Sequence, residues 1–539
     1  MLNDHKYVPE SRLNFANVLQ NVRAGQSITL PNLGDRPKHF GQGYQEGTFI
    51  VTQQMVDIWQ LLSADQQQSS IQPHSIKRVL SGPMGVGKSY LALFLAAKAY
   101  SEYWPMLYIA DATKIDQPTE EISSIAICKR FLSINKDILT AAELKQLVQH
   151  EDKSKPLVVS IAATIFCDLL QQISRKTLLV VDEHGVLFIS DPPTPQRLPV
   201  LIPLMSLTYW AESAAGARVV LTGTAHAKFE KKYLRDGMQD WIEFAGPLTD
   251  DIFDKLLGLH TFLGSTTIIK EEVKKVTNCV PRELIQLDAF INSDLAFTNV
   301  NSFKDIVSEF ENERIEKFQG IAQNYFINLP DIEKNRYRSA LGRMFLPSGT
   351  RVAFEWKFLD LGLVYRFKDP LKHTHYLPLC PSAQKALLNM YLTFDLPQIV
   401  INQLRIGKLS GEQFEDALFN RLLSRSNTET LFTATDLNNQ ATNPVRIEFK
   451  DYRMIKPHCL SLGPGYDKVL GRGFDRYPRF DFMLGPMFIQ VSISDFATHN
   501  AKESTDIKNA FARPMRRLPG MTIQQIAGRN QIEMYLDEI

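Results

Sequence analysis

Short apolar runs alternate with longer mixed segments through the first half of the chain. Five β-prone runs stand out, at residues 78–80, 106–109, 178–181, 218–221 and 241–244. Helical stretches occupy residues 90–100, 122–133 and 141–150 between them. Continuous apolar runs alternating with helices are typical of strands buried on both faces of a parallel sheet. The pattern predicts an α/β fold in which helices cover a parallel β-sheet.

The pattern changes after Pro247 and divides the rest of the chain. Helices alone are predicted at 252–262, 270–277 and 282–291, and residues 351–379 are rich in β-prone side chains between helices at 302–318 and 382–393. A helix beginning near 411 and strands around 445–449, 480–484 and 487–493 indicate a last, α+β domain. The predicted organisation is an N-terminal extension and linker (1–74), a core (75–247), a helical lid (248–300), a mixed connector (301–400) and the α+β domain (401–539).

Composition narrows the class of protein without identifying a partner. The 539 residues are 44% hydrophobic and carry 60 Lys and Arg against 59 Asp and Glu, which excludes an intrinsically disordered chain and gives no overall attraction for nucleic acid. The five cysteines are scattered, which argues against a disulfide framework or a zinc site. No apolar stretch is long enough to span a bilayer, and residues 1–20 show no apolar core of a signal peptide, so no membrane partner is expected.

A glycine-rich loop stands between the first predicted strand and the helix that follows it. It matches G-x-x-x-x-G-K-[ST] and consists of Gly82, Pro83, Met84, Gly85, Val86, Gly87, Lys88 and Ser89. In this context backbone N–H groups cradle phosphates, the lysine reaches the β- and γ-oxygens, and the hydroxyl binds Mg²⁺. The loop predicts a site for a nucleoside triphosphate, the alternative being a glycine-rich turn that matches by chance.

Paired acids follow the strand at 178–181. Asp182 is positioned to hold Mg²⁺ together with Ser89, and Glu183 to polarise an attacking water. Because a protein that only binds nucleotide can lack the second acid, Glu183 favours hydrolysis over a switch. A surface turn that begins with two acids is the alternative.

Polar residues at other strand ends are further candidates. Thr222 and Thr224 follow the fourth strand, where either hydroxyl would contact the γ-phosphate or the water. His184 comes after the strand at 178–181 and His226 after the fourth strand. Packing or hydrogen bonding is the more frequent role of such histidines.

Two arginines are candidates for contacts with phosphate. Arg282 follows Pro281 at the start of a lid helix and would serve as a sensor of the phosphates. Arg235 lies in a basic helical run; as a finger reaching a neighbouring copy it would require a homo-oligomer, whereas an exposed helix face is the simpler interpretation.

The last domain carries a weaker constellation. Asp481 and Gln490 lie on adjacent predicted strands, and Glu415 lies on the preceding helix, which is the arrangement of a metal-dependent nuclease core. The lysine expected after Gln490 is replaced by Ser492, and an amide replaces one carboxylate, so a core retained only for binding is the alternative. Nearby basic residues could follow a DNA backbone; they are Arg472, Arg476, Arg479, Lys502, Lys508, Arg513, Arg516 and Arg517.

Five segments together resemble the Crinkler effectors and the related retrotransposon hot spot proteins. They are residues 82–89, 181–185, 221–230, 280–284 and 488–494, and the resemblance spans 40–539. It implies a P-loop ATPase of AAA+/STAND-like type followed by a restriction-endonuclease-like domain, with ATP and Mg²⁺ as ligands. It also implies secretion and action in the nucleus of a host cell, although the family's Leu-Phe-Leu-Ala-Lys motif is absent from 1–40.

Three functions therefore remain, one of which is an active, Mg²⁺-dependent DNA nuclease that uses Glu415, Asp481 and Gln490; the other two belong to different classes. One is an ATP-hydrolysing protein that controls a nuclease-like domain acting on DNA. The other is a non-enzymatic, ATP-dependent switch that binds a host nuclear protein. Without the effector context, a cytoplasmic or nuclear location is expected.

Overall fold

A computed structural model describes most of the first 394 residues and parts of the remainder. The described residues are 9–37, 48–64, 74–115, 119–143, 175–188, 207–210, 212–223, 228–293, 300–345, 355–368, 374–394, 402, 419, 422–423, 430–436, 442–454, 468–472, 482–484, 487–489 and 532–534. The chain divides into two compact units. The first unit contains Met1–Ile315 and Trp356–Gln384, and the second contains Glu316–Glu355 and Lys385–Ile539.

Short elements precede the main sheet of the first unit. They are α1 (Ala16–Gln20), β1 (Ser27–Ile28), β2 (Phe49–Ile50) and α2 (Gln53–Ser63). Thr52 begins α2 as an N-cap, because its hydroxyl accepts the Met55 N–H at 3.2 Å and so satisfies one of the free donors of the first turn. The apolar face of α2 packs into the core that covers one side of the sheet.

Five parallel strands form the main sheet. They are β3 (Ile76–Ser81), β4 (Met106–Ile109), β5 (Thr177–Val181), β6 (Ala217–Thr222) and β7 (Ile242–Phe244), in the spatial order β4-β5-β6-β3-β7. Helices α3 (Lys88–Ser101) and α4 (Glu120–Asn135) follow β3 and β4. All residues of β5 and β6 are buried, since apolar cores cover both faces of the sheet. The five predicted strands and the α/β class are therefore confirmed.

The strand register brings polar residues to one edge of the sheet. Leu80 pairs with Thr222, and Val181 pairs with Leu221. Because the strands are parallel, the residues that follow β3, β5 and β6 meet at their carboxyl ends, where ligands of open α/β sheets bind. The glycine loop, Asp182 and Thr222 share this edge.

Helices follow the sheet, as the sequence predicts. They are α6 (Asp250–Leu257), α7 (Thr267–Thr277) and α8 (Pro281–Ser293), whereas α5 (Lys228–Arg235) lies between β6 and β7. The apolar faces of α6, α7 and α8, with that of the next helix, form a separate core. Helix α6 ends at Leu257, earlier than the predicted 262, because the Leu259 and His260 N–H groups close turns on the Leu256 and Leu257 carbonyls, three residues back. Helices α6, α7 and α8 occupy the range predicted as the lid.

In the range predicted as a connector, the described residues form four helices and a hairpin. They are α9 (Val300–Phe326), α10 (Asp331–Phe345), α11 (Trp356–Asp360), the antiparallel strands β8 (Val364–Lys368) and β9 (Thr374–Pro378), and α12 (Pro381–Thr393). The hairpin and α11 belong to the first unit, whereas α10 belongs to the second. Asn278, between α7 and α8, donates its side-chain amide to the Leu379 carbonyl at 2.8 Å. The chain thus returns to the first unit after α10.

The described residues of the second unit form two small sheets. One has the order β11-β10-β16 and the other β12-β13-β14-β15. Their strands are β10 (Thr430–Asp436), β11 (Thr442–Ile447), β12 (Asp451–Met454), β13 (Val469–Arg472), β14 (Phe482–Leu484), β15 (Met487–Ile489) and β16 (Ile532–Met534). Strand β12 pairs with β13 in parallel, and the other pairs are antiparallel. The predicted helix near 411 lies outside the described residues. No helix in the described part of the chain is both long enough and apolar enough to cross a bilayer.

Candidate nucleotide-binding site

The glycine loop joins β3 to α3 in the conformation that its composition predicts. Gly85 and Gly87 have φ values of 89° and 94°, in the left-handed region that favours glycine. A Cβ at Gly85 would lie 2.3 Å from the Cβ of Arg282, whereas a Cβ at Gly87 would meet nothing within 4 Å. The loop therefore needs glycine at Gly85 for close packing, and it is open at Gly87, where α3 begins.

Lys88 is folded back onto the loop. Its buried Nζ donates to the carbonyls of Gly82 and Pro83, each at 2.8 Å. Burial lowers the pKa of Lys88 to about 8, while the nearby carboxylates of Glu183 and Asp182 oppose that shift. A cation in such a position, beside the backbone of the glycine loop, is suited to bind an anionic phosphate.

Asp182 follows β5 and connects three elements of the site. Its Oδ1 accepts the Glu183 N–H at 3.0 Å and the Thr222 hydroxyl, and Ser89 donates a further hydrogen bond to the carboxylate. Burial raises the pKa of Asp182 despite these hydrogen bonds. Ser89 and Asp182, the two predicted metal ligands, are thus brought together.

Glu183 has an unusual backbone conformation. Its φ is 59°, a left-handed value that is uncommon for a residue other than glycine. Its N–H is directed at Asp182 Oδ1 and, at 3.3 Å, at Thr222 Oγ1. The charge of Glu183 is close enough to act on Lys88 and on Arg282, so the side chain lies among the groups of the site.

His184 connects the two strand ends rather than facing the loop. Its Nδ1 lies 2.6 Å from the Thr222 carbonyl, so Nδ1 carries the proton and donates it. The ring packs edge-on against Phe229 at 4.7 Å. Burial lowers the pKa of His184 to about 4, which keeps the ring neutral. Thr224 and His226 lie outside the described residues.

The two candidate arginines differ in position. The Arg282 N–H donates to the Gly85 carbonyl at 3.2 Å, and its side chain packs against the glycine loop. Burial lowers the pKa of Arg282. Arg235 is on α5, with a side chain that is 76% exposed and 3.6 Å from Asp236. The structure thus brings Arg282 to the loop and leaves Arg235 on an exposed helix face.

A cavity of about 490 Å³ adjoins the loop. Its wall includes Val86 and Gly87 of the loop, and aromatic side chains come from β2, α3, β7 and β8. These aromatic residues are Phe49, Tyr90, Phe244, Tyr365 and Phe367. A mostly apolar cavity beside a phosphate-binding loop has the character of a site for a flat organic ring.

The three candidate nuclease residues cannot be compared with the structure. Strands β14 and β15, which occupy part of the predicted strands, pair antiparallel with Phe482 opposite Ile489. Glu415, Asp481 and Gln490 lie outside the described residues.

Three residues next to the loop, Ser81, Glu230 and Arg366, are not among the predicted site residues. Arg366 Nη2 donates to Ser81 Oγ at 2.6 Å and forms a buried ion pair with Glu230. Nothing in the sequence singles out Arg366, because it is one residue of a short strand far from the loop. Glu230 stands in the basic run of α5, which by itself indicates a solvated face.

The fold and the loop together define the class of this unit. A parallel sheet with G-x-x-x-x-G-K-S between a strand and a helix, and with an acidic pair after a buried strand that one further strand separates from the first, is the fold of P-loop NTPases.

Comparisons with known proteins reveal distant similarities to solved structures. No protein-family model matches the chain, and no curated protein does. A Walker-type ATPase of Pyrococcus abyssi is 15% identical, with 57% of this chain and 90% of that chain covered and a TM-score of 0.35. The Orc2 protein of Aeropyrum pernix, in complexes with ADPNP and ADP, is 14% identical (63% and 93% covered, TM-score 0.31). Cdc6p of Pyrobaculum aerophilum is 13% identical (63% and 92% covered, TM-score 0.29).

Proposed function

We propose that the chain binds ATP with Mg²⁺ and hydrolyses it, and that this reaction controls a nucleic-acid-acting C-terminal domain. The observation that carries the ATPase proposal is the meeting of Lys88, Asp182 and Glu183 at the carboxyl edge of one parallel sheet. Three charged groups held there by burial and hydrogen bonds are what phosphoryl transfer requires, because its catalysis is largely positioning and electrostatic stabilisation.

Binding of the triphosphate would use the loop and the start of α3. Phosphate oxygens would take the place of the Gly82 and Pro83 carbonyls as acceptors for Lys88. The N-terminus of α3 adds its partial positive charge. The base would occupy the aromatic cavity next to Val86.

Ser89 and Asp182 fit a magnesium ion. Their oxygens already lie within hydrogen-bond distance of each other, and Mg²⁺ in such sites is held by one or two protein oxygens together with phosphates and waters. Bound there, Mg²⁺ would neutralise charge on the β- and γ-oxygens.

Glu183 would orient and polarise the attacking water. Its backbone is held by Asp182 and by Thr222, so Thr222 sets the position of the catalytic carboxylate, and Thr224 is the second candidate for contact with the γ-phosphate. Arg282, packed on the loop, would contact the phosphates from the lid helix α8.

The finer parts of the proposal rest on the resemblance to Crinkler effectors. On that basis the C-terminal domain acts on DNA through Glu415, Asp481 and Gln490 in the nucleus of a host cell after secretion. A homo-oligomer and a host nuclear protein are the partners that this resemblance and Arg235 suggest.

The ATPase proposal is tested by measuring phosphate release with Mg²⁺. We expect Lys88→Ala to lose binding of ATP, and Glu183→Gln to retain binding while its turnover falls by about 100-fold or more. Lys275→Ala and Glu121→Gln, which change exposed residues of the same types, serve as matched controls and should hydrolyse ATP like the wild type.

Phosphate release that persists in both site variants would exclude this site. If the wild type binds ATP without turnover, the non-enzymatic switch replaces the ATPase proposal. The experiment would then move to a partner that binds the ATP-loaded protein.

A further inference from the structure

Arg366 reaches the glycine loop from a distant part of the chain. It lies on β8, opposite Tyr376 of β9, and its neighbours Tyr365 and Phe367 contribute to the cavity wall. Only 3% of the Arg366 side chain is exposed. A guanidinium group is costly to bury and is retained where its charge and its hydrogen bonds are both satisfied.

The contacts of Arg366 satisfy its charge and the Nη2 donor, whereas its buried Nε has no hydrogen-bond partner among the described residues. Its Nη2 donates to the Ser81 hydroxyl at 2.6 Å and pairs with Glu230, whose side chain is 1% exposed. The guanidinium also lies over two aromatic rings, 4.3 Å from the centroid of Phe244 and 5.0 Å from that of Trp356. Arg366, on the β8–β9 hairpin, thus holds the carboxylate of Glu230 in place.

This ion pair is next to the phosphate-binding lysine. Ser81 directly precedes Gly82, whose carbonyl accepts a hydrogen bond from Lys88. The charges of Glu230 and Lys88 are close enough to act on each other: burial lowers the pKa of Lys88 and raises that of Glu230, and the charge of each group opposes the shift of the other. Of the other groups near Glu230, Asp360 is acidic and Tyr376 is neutral when protonated, so Arg366 and Lys88 are the main cations among the described residues that act on the carboxylate.

We propose that Arg366 is a positioning residue that keeps Glu230 from capturing Lys88, so that Lys88 stays available to the phosphates. The proposal rests on the nucleotide binding put forward above. Without the guanidinium of Arg366, the most favourable partner for the buried carboxylate of Glu230 is the ammonium of Lys88, because an unpaired buried charge is costly. ATP must then displace Glu230 before it can bind.

The alternative is that the pair only stabilises the fold. In that case loss of either partner would impair the protein alike, and loss of both would be at least as harmful. A competing carboxylate behaves differently, because the defect requires Glu230 to be present and disappears when its charge is removed.

The experiment compares Arg366→Gln, Glu230→Gln and the double variant in the full chain. We expect Arg366→Gln to weaken ATP binding by roughly tenfold or more, as expected for a rival ion pair. We expect Glu230→Gln and the double variant to bind within about threefold of the wild type. ATP affinity is measured by titration at a temperature below the lowest unfolding midpoint of the set.

Steady-state kinetics provides a second readout. In Arg366→Gln we expect KM for ATP to rise while kcat stays within about threefold of the wild type, because bound phosphates have already displaced Glu230. Arg336→Gln is the matched control, since Arg336 also pairs with a carboxylate (Glu355, 3.3 Å) and lies over a ring (Tyr337, 4.9 Å) in the second unit.

The outcomes separate this inference from the proposed function. The inference about Arg366 is overturned if the double variant binds ATP as weakly as Arg366→Gln does, or if Arg366→Gln binds ATP like the wild type. Either result leaves the proposed function intact. If the folded wild type does not bind ATP, the proposed function fails as well. If Arg366→Gln does not fold, a double variant that folds but binds ATP more than tenfold weaker than the wild type overturns the inference.

Discussion

Glu183 shows how the site uses local strain. A left-handed backbone at a residue other than glycine costs on the order of 1 kcal/mol or more, and the φ of 59° persists because the Glu183 N–H is held by Asp182 and Thr222. The backbone geometry thus directs this side chain toward the loop, where Lys88 and Arg282 respond to its charge.

His184 makes the stability of the first unit depend on pH. Its pKa is lowered to about 4 by burial, whereas the ordinary value is 6.5, so the unfolded state binds more protons between these values. Its contribution to stability is therefore complete above about pH 6.5 and is lost as the pH falls toward 4. We expect the thermal midpoint to drop less between about pH 7.5 and about pH 5 in His184→Asn than in the wild type.

The comparison isolates His184, because Asn can still donate to the Thr222 carbonyl but does not titrate. Equal drops in the two proteins would show that other groups cause the acid instability.

The site residues on the glycine loop and after β5 could be predicted because their spacing is local. Gly82–Ser89, Asp182 and Glu183 follow strands whose apolar runs are readable in the sequence, and Thr222 is the last residue of such a strand. Arg366 and Glu230 could not be predicted, because their pairing depends on which strand returns to the loop, and no local pattern encodes that.

At the scale of elements, a buried ion pair joins two helices of the first unit. Arg314 on α9 donates two hydrogen bonds to Glu283 on α8, at 2.8 and 2.7 Å, and their side chains are 6% and 3% exposed. Glu283 is adjacent to Arg282, so this pair fixes the helix that carries Arg282. The sequence predicts both helices but not this contact between them.

Replacing Glu283 tests the importance of this pair. We expect Glu283→Gln to destabilise the unit by about 3–5 kcal/mol, because the guanidinium of Arg314 would be left buried without its anion. Thermal unfolding followed by circular dichroism gives the shift in midpoint.

Asp331→Asn is the matched change at an exposed pair. The Asp331 side chain is 97% exposed and 4.0 Å from Lys334, and such pairs contribute little. A shift for Glu283→Gln no larger than that of Asp331→Asn would mean that the buried pair does not hold α8 in place.

Strands β4, β5 and β6 were predictable because they are buried on both faces, which makes each largely a run of apolar residues. The lid helices were predictable from their periodicity, although the end of α6 depends on turns that periodicity does not reveal. The predicted domain boundaries remain predictions, since the first unit gathers residues from two separate stretches of chain.

At the scale of the whole molecule, the proposal is that ATP hydrolysis controls the action of the C-terminal domain on DNA. We expect Mg²⁺-dependent nicking of plasmid DNA by the wild type, increased by ATP and lost in Asp481→Ala, because removal of a metal-binding carboxylate removes the metal. Agarose gels of the same reactions that are assayed for phosphate release give the measurement.

Asp475→Ala, a change of an acid in the same segment, should leave nicking intact. Absence of nicking in the wild type at every metal and ATP concentration would exclude the nuclease and leave a domain that only binds.

The division of the first unit between Met1–Ile315 and Trp356–Gln384 affects how the protein is made. During synthesis the P-loop leaves the ribosome long before the hairpin that holds Glu230. A nascent chain that ends at the lid helices carries every recognisable nucleotide-binding motif and still lacks Arg366. Any fragment intended for biochemical assays should therefore extend through Gln384, and one that is cut after the lid is expected to misreport the affinity of the intact protein.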